Sequence, residues 1–146
     1  MKIIFFCILA IFISCNKTQQ GPAETLTSFI EYRFSNNQTK EGLLVYMTSK
    51  ASEEIQAMSE GDLVDLFKVE KYRKRNFKIV TEKCTEDKCF MTYILEYDVL
   101  TETKTRDFSS EVKKIAELQK INEQWKVSNI ENVKTFVESI KPIEVQ

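Results

Sequence analysis

The chain has 146 residues, of which 42% are hydrophobic and 11% aromatic, enough apolar material for one domain with a substantial core. Lysine and arginine total 21 against 22 acidic residues, a net charge of −1, so overall charge does not favour nucleic acid as a partner. The chain contains no histidine, which removes the side chain most often used as a general base and as a metal ligand.

The first fifteen residues, MKIIFFCILAIFISC, predict export. A lysine precedes an apolar run over residues 3–13, which is too short to span a membrane and is typical of a signal-peptide core. The run ends at Ser14-Cys15, and a small residue directly before a cysteine in this setting resembles the lipobox of bacterial lipoproteins. The resemblance implies that residues 1–14 are a cleaved signal peptide and that Cys15 carries lipid. The protein would then be anchored to the cell envelope, in the outer membrane if the cell has one.

Residues 15–21 are expected to comprise the lipidated cysteine and a short polar tether, and residues 22–146 are expected to form a single domain. Its first half predicts short helices. Pro22 suits a first helical turn, and apolar residues follow it at helical spacing: Leu26, Phe29, Ile30 and Phe34. Three further helices are predicted, the second capped by Thr39, the third begun by Ser49 or Ser52, and the fourth restarting at the Ser59–Asp62 stretch, where Asp62 is placed like the acid of a capping box.

After Arg75 the apolar pattern changes to period two, which predicts strands over residues 77–84, 89–101, 108–121 and 125–133. The third segment also fits a helix, but the polar residues 122–124 are typical of a hairpin loop, so we assign it as a strand. Helices followed by strands indicate an α+β fold, in which N-terminal helices pack on a curved four-stranded antiparallel sheet.

Residues 22–133, and most specifically the segment ELQKINEQWKV at 117–127, are similar to small lipoproteins of the nuclear-transport-factor-two-like superfamily, also described as cystatin-like or SnoaL-like. The resemblance implies a cone-shaped domain, in a superfamily where sheet-to-sheet dimers are common. Its enzymes, ketosteroid isomerases and dehydratases among them, hold acids, tyrosine or histidine inside the cone. Function does not follow from this resemblance, because one fold hosts many functions.

Strand alternation separates Glu96 and Asp98 from Tyr93 and Tyr97, so this strand offers no pairing of an acid with a tyrosine, and we assign no catalytic residue. Tyr93, Tyr97 and Trp125 could line a ligand pocket, since an aromatic ring with a polar tip suits a mixed environment. The same three residues suit an ordinary core equally well.

Cys84 and Cys89 flank a four-residue loop. Opposed strand positions come near disulfide reach, so we predict a disulfide, with free thiols as the alternative. A metal site is disfavoured because further soft or imidazole ligands are lacking. Residues 68–78 hold the densest positive charge, which is either a solvated helix end or a surface for anionic head groups or an acidic partner.

Pairing Cys84 with Cys89 also predicts a register, with Ile79 opposite Ile94 and Val80 opposite Tyr93. The outer face of the sheet would then carry an apolar group, Phe77, Ile79, Phe90 and Ile94. Helices can cover only one face of the sheet, so this group could form an interface with a second copy or with another envelope protein.

These inferences predict a lipid-anchored cell-envelope protein with a non-catalytic domain that binds a small apolar ligand or another envelope protein. A structural or assembly role is the first alternative, and an isomerase- or dehydratase-type enzyme is the second. Neither a cofactor nor a metal is expected, and the expected partners are the membrane, through Cys15, and a homodimer or an envelope protein.

Overall fold

The computed structural model describes residues 20–139, apart from the side chain of Ser139. The predicted signal peptide, the lipid site Cys15 and residues 140–146 therefore lie outside the described residues. In chain order the elements are the helices Pro22–Arg33 (α1), Lys40–Leu44 (α2), Ser49–Ala57 (α3) and Glu60–Leu66 (α4), a 3₁₀ turn Val69–Lys71, and the strands Tyr72–Cys84 (β1), Lys88–Leu100 (β2), Arg106–Ile121 (β3) and Gln124–Ser139 (β4). Across this range, no helix combines the length and the apolar character needed to cross a bilayer.

Side-chain caps define where the short helices begin. The hydroxyl of Thr39 accepts a hydrogen bond from the Gly42 amide at 3.0 Å, and that of Ser59 accepts one from the Asp62 amide at 3.2 Å. Both residues have the extended backbone conformation that is typical of a helix cap. Each hydroxyl satisfies an amide that the first helical turn leaves unpaired. The second and fourth helices therefore begin where the sequence predicts.

The four strands form one antiparallel sheet in the order β1-β2-β3-β4, which confirms the predicted α+β meander. The segment that also fitted a helix is strand β3 along its whole length. The β3–β4 turn consists of Asn122 and Glu123, with φ angles of 48° and 62°. Positive φ at both central residues is the geometry of a type I′ turn, whose twist matches that of the strands it joins.

Strands β1 and β4 extend beyond the predicted segments. Tyr72 pairs with Val99 at one edge, and Ser139 pairs with Phe108 at the other. The amphipathic pattern fades over both extensions, where many side chains are exposed. The neighbouring strand supplies backbone hydrogen bonds there, and pairing of this kind leaves no mark in a single sequence.

One face of the sheet packs against the helices and forms the core. Met91, Tyr93 and Leu95 of β2 point to this inner face and are at most 6% exposed. Leu26 of α1 is fully buried among them, and Val112, Ala116, Leu118 and Val127 complete the strand side of the core. The inner face also holds Phe77 and Ile79 of β1, both half-buried against the same cluster.

The predicted placement of Phe77 and Ile79 on the outer face is wrong. The disulfide-paired end has the expected register, Cys84 opposite Cys89, but the pairing shifts between Ile79 and Thr81. This irregularity leaves Val80 without an opposed partner, and Ile79 instead faces Tyr93. One extra residue in a strand reverses the face of the side chains beyond it, here as far as a second irregularity between Lys74 and Asn76.

The outer face is consequently polar over most of its area. Phe90, 47% exposed, and half-buried Ile94 do lie on it. One cross-strand row runs from Lys78 through Ile94 and Lys113 to Lys134, so three lysines flank the isoleucine. The four residues proposed as an interface therefore do not form one patch, and the wetted outer face is ordinary for an antiparallel sheet.

Candidate functional site

A cleft lies between the C-terminal half of α1 and the inner face of the sheet. Its volume is about 340 Å³, within the 300–1,000 Å³ range of small-molecule sites. Helix α1, the 3₁₀ turn and strands β1 to β4 all contribute to its wall, which consists of Phe29, Ile30, Arg33, Phe34, Val69, Tyr72, Tyr93, Leu95, Tyr97, Lys114 and Ile130. The core is therefore tightly filled towards the disulfide end and open at this end.

Aromatic rings form much of the wall. The ring centroids of Phe34 and Tyr97 are 6.2 Å apart, and those of Tyr72 and Tyr97 are 5.8 Å apart in an edge-to-face arrangement. Tyr93 lies deepest, at 1% exposure, whereas Tyr72 is 44% exposed and stands at the rim. Burial raises the pKa of the Tyr93 phenol, so this hydroxyl stays neutral at physiological pH. Two of the predicted pocket residues, Tyr93 and Tyr97, thus line the cleft.

The third predicted pocket residue, Trp125, does not line the cleft. It opens β4 and pairs with Lys120, half-buried at the hairpin end of the sheet. From Lys114 to Lys120, β3 advances by roughly 20 Å at about 3.3 Å per residue. The cleft opens at the other end of the sheet from Trp125.

Two cations also line the cleft, Arg33 and Lys114. Neither of them was predicted from the sequence to be a site residue. Arg33 is the last residue of α1, and its guanidinium donates hydrogen bonds to the side-chain oxygen of Gln38 at 2.7 Å and to the carbonyl of Leu66 at 3.4 Å. Lys114 is half-buried on the inner face of β3, opposite Tyr93. Burial and the charge of Arg33 both lower the pKa of Lys114, so the two groups interact electrostatically.

Both cations had a signal in the sequence. Arg33 continues the apolar stripe of α1, because it lies three and four residues after Ile30 and Phe29. Lys114 interrupts the alternating apolar positions Val112, Ala116 and Leu118. A charged residue within a core-facing stripe was the signal to follow, since such positions are normally apolar.

The acidic residues of β2 lie on the other side of the sheet. The carboxylate of Glu96 accepts a hydrogen bond from Asn76 at 3.1 Å. Asp98 is only 2% exposed, because Arg73 covers it at 2.7 Å and the hydroxyl of Ser109 donates to it at 2.8 Å. Among the described residues that line the cleft, none carries a carboxylate.

The neighbours of Asp98 explain why its buried carboxyl is ionised. Burial alone raises the pKa of its carboxyl, but the hydrogen bonds from Arg73 and Ser109 and the charges of Arg73 and Arg75 outweigh burial, so the pKa lies below its ordinary value. A depressed pKa means that the ionised carboxylate stabilises the fold above its unfolded pKa, and that this contribution is lost as pH falls through the folded pKa.

We therefore expect Asp98→Asn to lower the free energy of unfolding at pH 7 by about 1 kcal/mol, a value kept small because Arg73 is exposed to solvent. The difference from the wild type should shrink as the pH is lowered below about 4. Urea unfolding of both proteins across pH measures it. Glu96→Gln is the matched control, with little effect expected. A pH-independent difference would contradict the explanation.

Cys84 and Cys89 are joined by a disulfide in the structure, as the sequence predicts. A carboxylate oxygen of Glu82 lies 3.3 Å from the sulfur of Cys84 and 3.9 Å from that of Cys89. Glutamate and two sulfurs within this distance resemble part of a metal site, but both sulfurs are used in the disulfide. The group is therefore the end of the β1–β2 hairpin, which the disulfide closes.

The basic segment 68–78 is largely paired with acids. Lys74 forms an ion pair with Glu31 of α1, Lys68 with Asp65 of α4, and Arg73 with Asp98. The pairs with the exposed acids Glu31 and Asp65 contribute little to stability, but all three pairs remove much of the local excess of positive charge. This favours the interpretation of the segment as a solvated surface.

Comparison with known proteins yields likenesses to solved structures alone. No protein-family model matches the chain, and no curated protein matches it. A crystal structure from Campylobacter jejuni, named as an NTF2-like transpeptidase, superposes with a TM-score of 0.46 at 11% sequence identity, covering 75% of this chain and 99% of that one. A TM-score below 0.5 is too low to support an argument about this chain, so its α+β class rests on the strand order and register described above.

Proposed function

We propose that this protein is an exported, lipid-anchored binding protein whose single α+β domain holds a small molecule with an apolar body in the cleft between α1 and the sheet. The cleft is the observation that carries the proposal. It is ligand-sized, its wall is mainly apolar and aromatic, and a few polar groups converge on it, which is the usual composition of a small-molecule site.

The available side chains favour binding over catalysis. The described wall offers aromatic rings, two cations and tyrosine hydroxyls, which are groups that hold and orient a ligand. The general acid-base chemistry of the alternative enzyme hypothesis needs a proton-transferring group, commonly a carboxylic acid with a raised pKa in an apolar pocket. The acids of β2 instead face away from the cleft and are engaged with Asn76 and Arg73.

Export and anchoring are supported by two features of the chain. The apolar run ending at Ser14-Cys15 has the pattern of a lipoprotein signal, and the Cys84–Cys89 disulfide suits an oxidising compartment outside the cytosol. Lipid attachment at Cys15 would hold the cleft close to a membrane, because the tether of residues 15–21 spans at most about 25 Å when fully extended. Molecules with apolar bodies concentrate at that surface.

Photolabelling of the lipidated full-length protein in phosphatidylcholine vesicles tests the binding site. A neutral octanol derivative carrying a diazirine should label peptides that contain Phe34, Tyr93 or Tyr97, and unlabelled octanol should compete. Filling the cleft with Ile130→Trp is expected to reduce this labelling by at least about tenfold, the effect of losing about 1.4 kcal/mol of binding free energy. Ile130 is half-buried and forms part of the wall.

The control adds the same indole elsewhere. Val45→Trp changes a side chain that is 61% exposed and lies outside the cleft, and it should leave the labelling unchanged. Labelling spread evenly over the surface, or equal loss in both variants, would contradict the proposed cleft.

A further inference from the structure

We infer that the molecule held in the cleft is an anionic amphiphile, whose carboxylate or phosphate head contacts Lys114 and Arg33 while its apolar body lies against the aromatic wall. This inference rests on the proposed binding function and specifies the chemical class of the ligand.

The two cations that line the cleft have no counter-ion among the described residues. Within residues 20–139, neither Lys114 nor Arg33 forms an ion pair with a carboxylate. Lys74, which lies on the same face of the sheet, is by contrast paired with Glu31. Among the described residues, the two cations that line the cleft thus have no carboxylate partner.

Placing the two cations together costs electrostatic free energy. Two like charges that are partly removed from water repel each other and lose hydration, and both effects disfavour the charged forms. Such a pair is normally neutralised by a carboxylate or replaced by apolar side chains. An anion that enters between the ammonium and the guanidinium would relieve the repulsion and form charge-assisted hydrogen bonds. Binding would therefore be strongest for a ligand that brings the missing negative charge.

Cationic and apolar groups lie side by side in the wall of the cleft. Arg33 is anchored at the end of α1 by Gln38 and by the Leu66 carbonyl, so its guanidinium is held in position before a ligand arrives. Beside the two cations lie apolar and aromatic groups of both layers, Phe29, Ile30, Leu95 and Tyr97. One ligand that satisfies both surfaces must combine a compact anionic head with an apolar body.

The test uses the lipidated full-length protein in phosphatidylcholine vesicles, with thermal unfolding followed by the fluorescence of Trp125. This is the single tryptophan of the chain, and it lies away from the cleft. A ligand that binds the folded state raises Tm by mass action. The probes are octanoate, octanol, octylammonium and inorganic phosphate, each at the same free concentration.

Octanoate should raise Tm most, with an apparent affinity about tenfold above that of octanol, the gain expected from one charge-assisted contact. Octylammonium and inorganic phosphate should give little or no shift. Lys114→Met should reduce the affinity for octanoate to that of octanol, and Lys114→Arg should retain most of it. Without any ligand, Lys114→Met should also show a higher Tm than the wild type, because it removes an unneutralised charge.

Lys113→Met is the matched control, since Lys113 directly precedes Lys114 in β3 and is exposed on the outer face. It should bind octanoate as the wild type does. Equal shifts from octanoate and octanol would overturn the anionic head while leaving the proposed function standing. If inorganic phosphate alone raised Tm as much as octanoate does, the inference that the ligand has an apolar body would be overturned. No shift from any probe would overturn both the inference and the binding function.

Discussion

Replacing Cys15 with serine is expected to abolish lipid attachment and to leave an uncleaved precursor. Serine has nearly the same size as cysteine but lacks the thiol to which the diacylglycerol would be joined. Cys15 lies outside the described residues, so this prediction rests on the sequence alone. Each buried methylene contributes about 0.8 kcal/mol to membrane binding, and stable anchoring takes more than one acyl chain. A protein without the lipid should therefore lose the whole of this contribution to membrane binding.

Metabolic labelling with an alkyne fatty acid in a bacterial host, followed by mass spectrometry of the mature N-terminus, measures the outcome. Cys7→Ser is the matched control, because Cys7 lies inside the apolar run and would be removed with the signal peptide. It should be labelled as strongly as the wild type. Label in the Cys15→Ser protein, or a mature chain that begins elsewhere, would refute the lipoprotein assignment.

The second large effect concerns the register of β1. Ile79→Lys is expected to lower the free energy of unfolding by about 2 kcal/mol, because it removes an apolar side chain from the inner face and places an ammonium group there. Ile94→Lys should cost far less, since Ile94 is on the outer face in a row that already contains three lysines. Urea unfolding of the two variants compares them directly.

The two variants distinguish the observed register, in which Ile79 faces Tyr93, from a register without the irregularity, in which Ile79 would face Ile94. If Ile79 and Ile94 faced each other, the two lysine variants would lie on one face and would have similar effects. Equal destabilisation by both variants would therefore contradict the irregularity at Val80. The result would also move Phe77 back to the outer face.

The order of elements was predictable because local patterns determine it. Pro22, Thr39 and Ser59 act through backbone atoms a few residues away, and such contacts are encoded within one helical turn. The period-two pattern identified β2 because its inner residues, Met91, Tyr93 and Leu95, alternate with polar ones. Antiparallel pairing of successive strands follows when the connecting turns are short.

The candidate site was only partly predictable. Tyr93 and Tyr97 were identified by their chemistry, and both line the cleft. Trp125 was included for the same chemistry but lies at the wrong end of the sheet, because composition does not say where the helices stop covering the inner face. Arg33 and Lys114 were missed because they come from distant segments, and neither suggests a site until α1 packs across β3.

By itself, the sequence determined the α+β class and the separation of the β2 acids from the β2 tyrosines, and it predicts export through the segment that ends at Cys15. These properties follow from local composition and from the strict alternation of side chains along a strand. Only the tertiary structure decided that β1 changes face at Val80, that the outer face is mainly polar, and that two cations without a carboxylate partner among residues 20–139 share an aromatic cleft. Each of these depends on strand register and helix placement, which balance the packing of the whole core and leave no signature in any one segment.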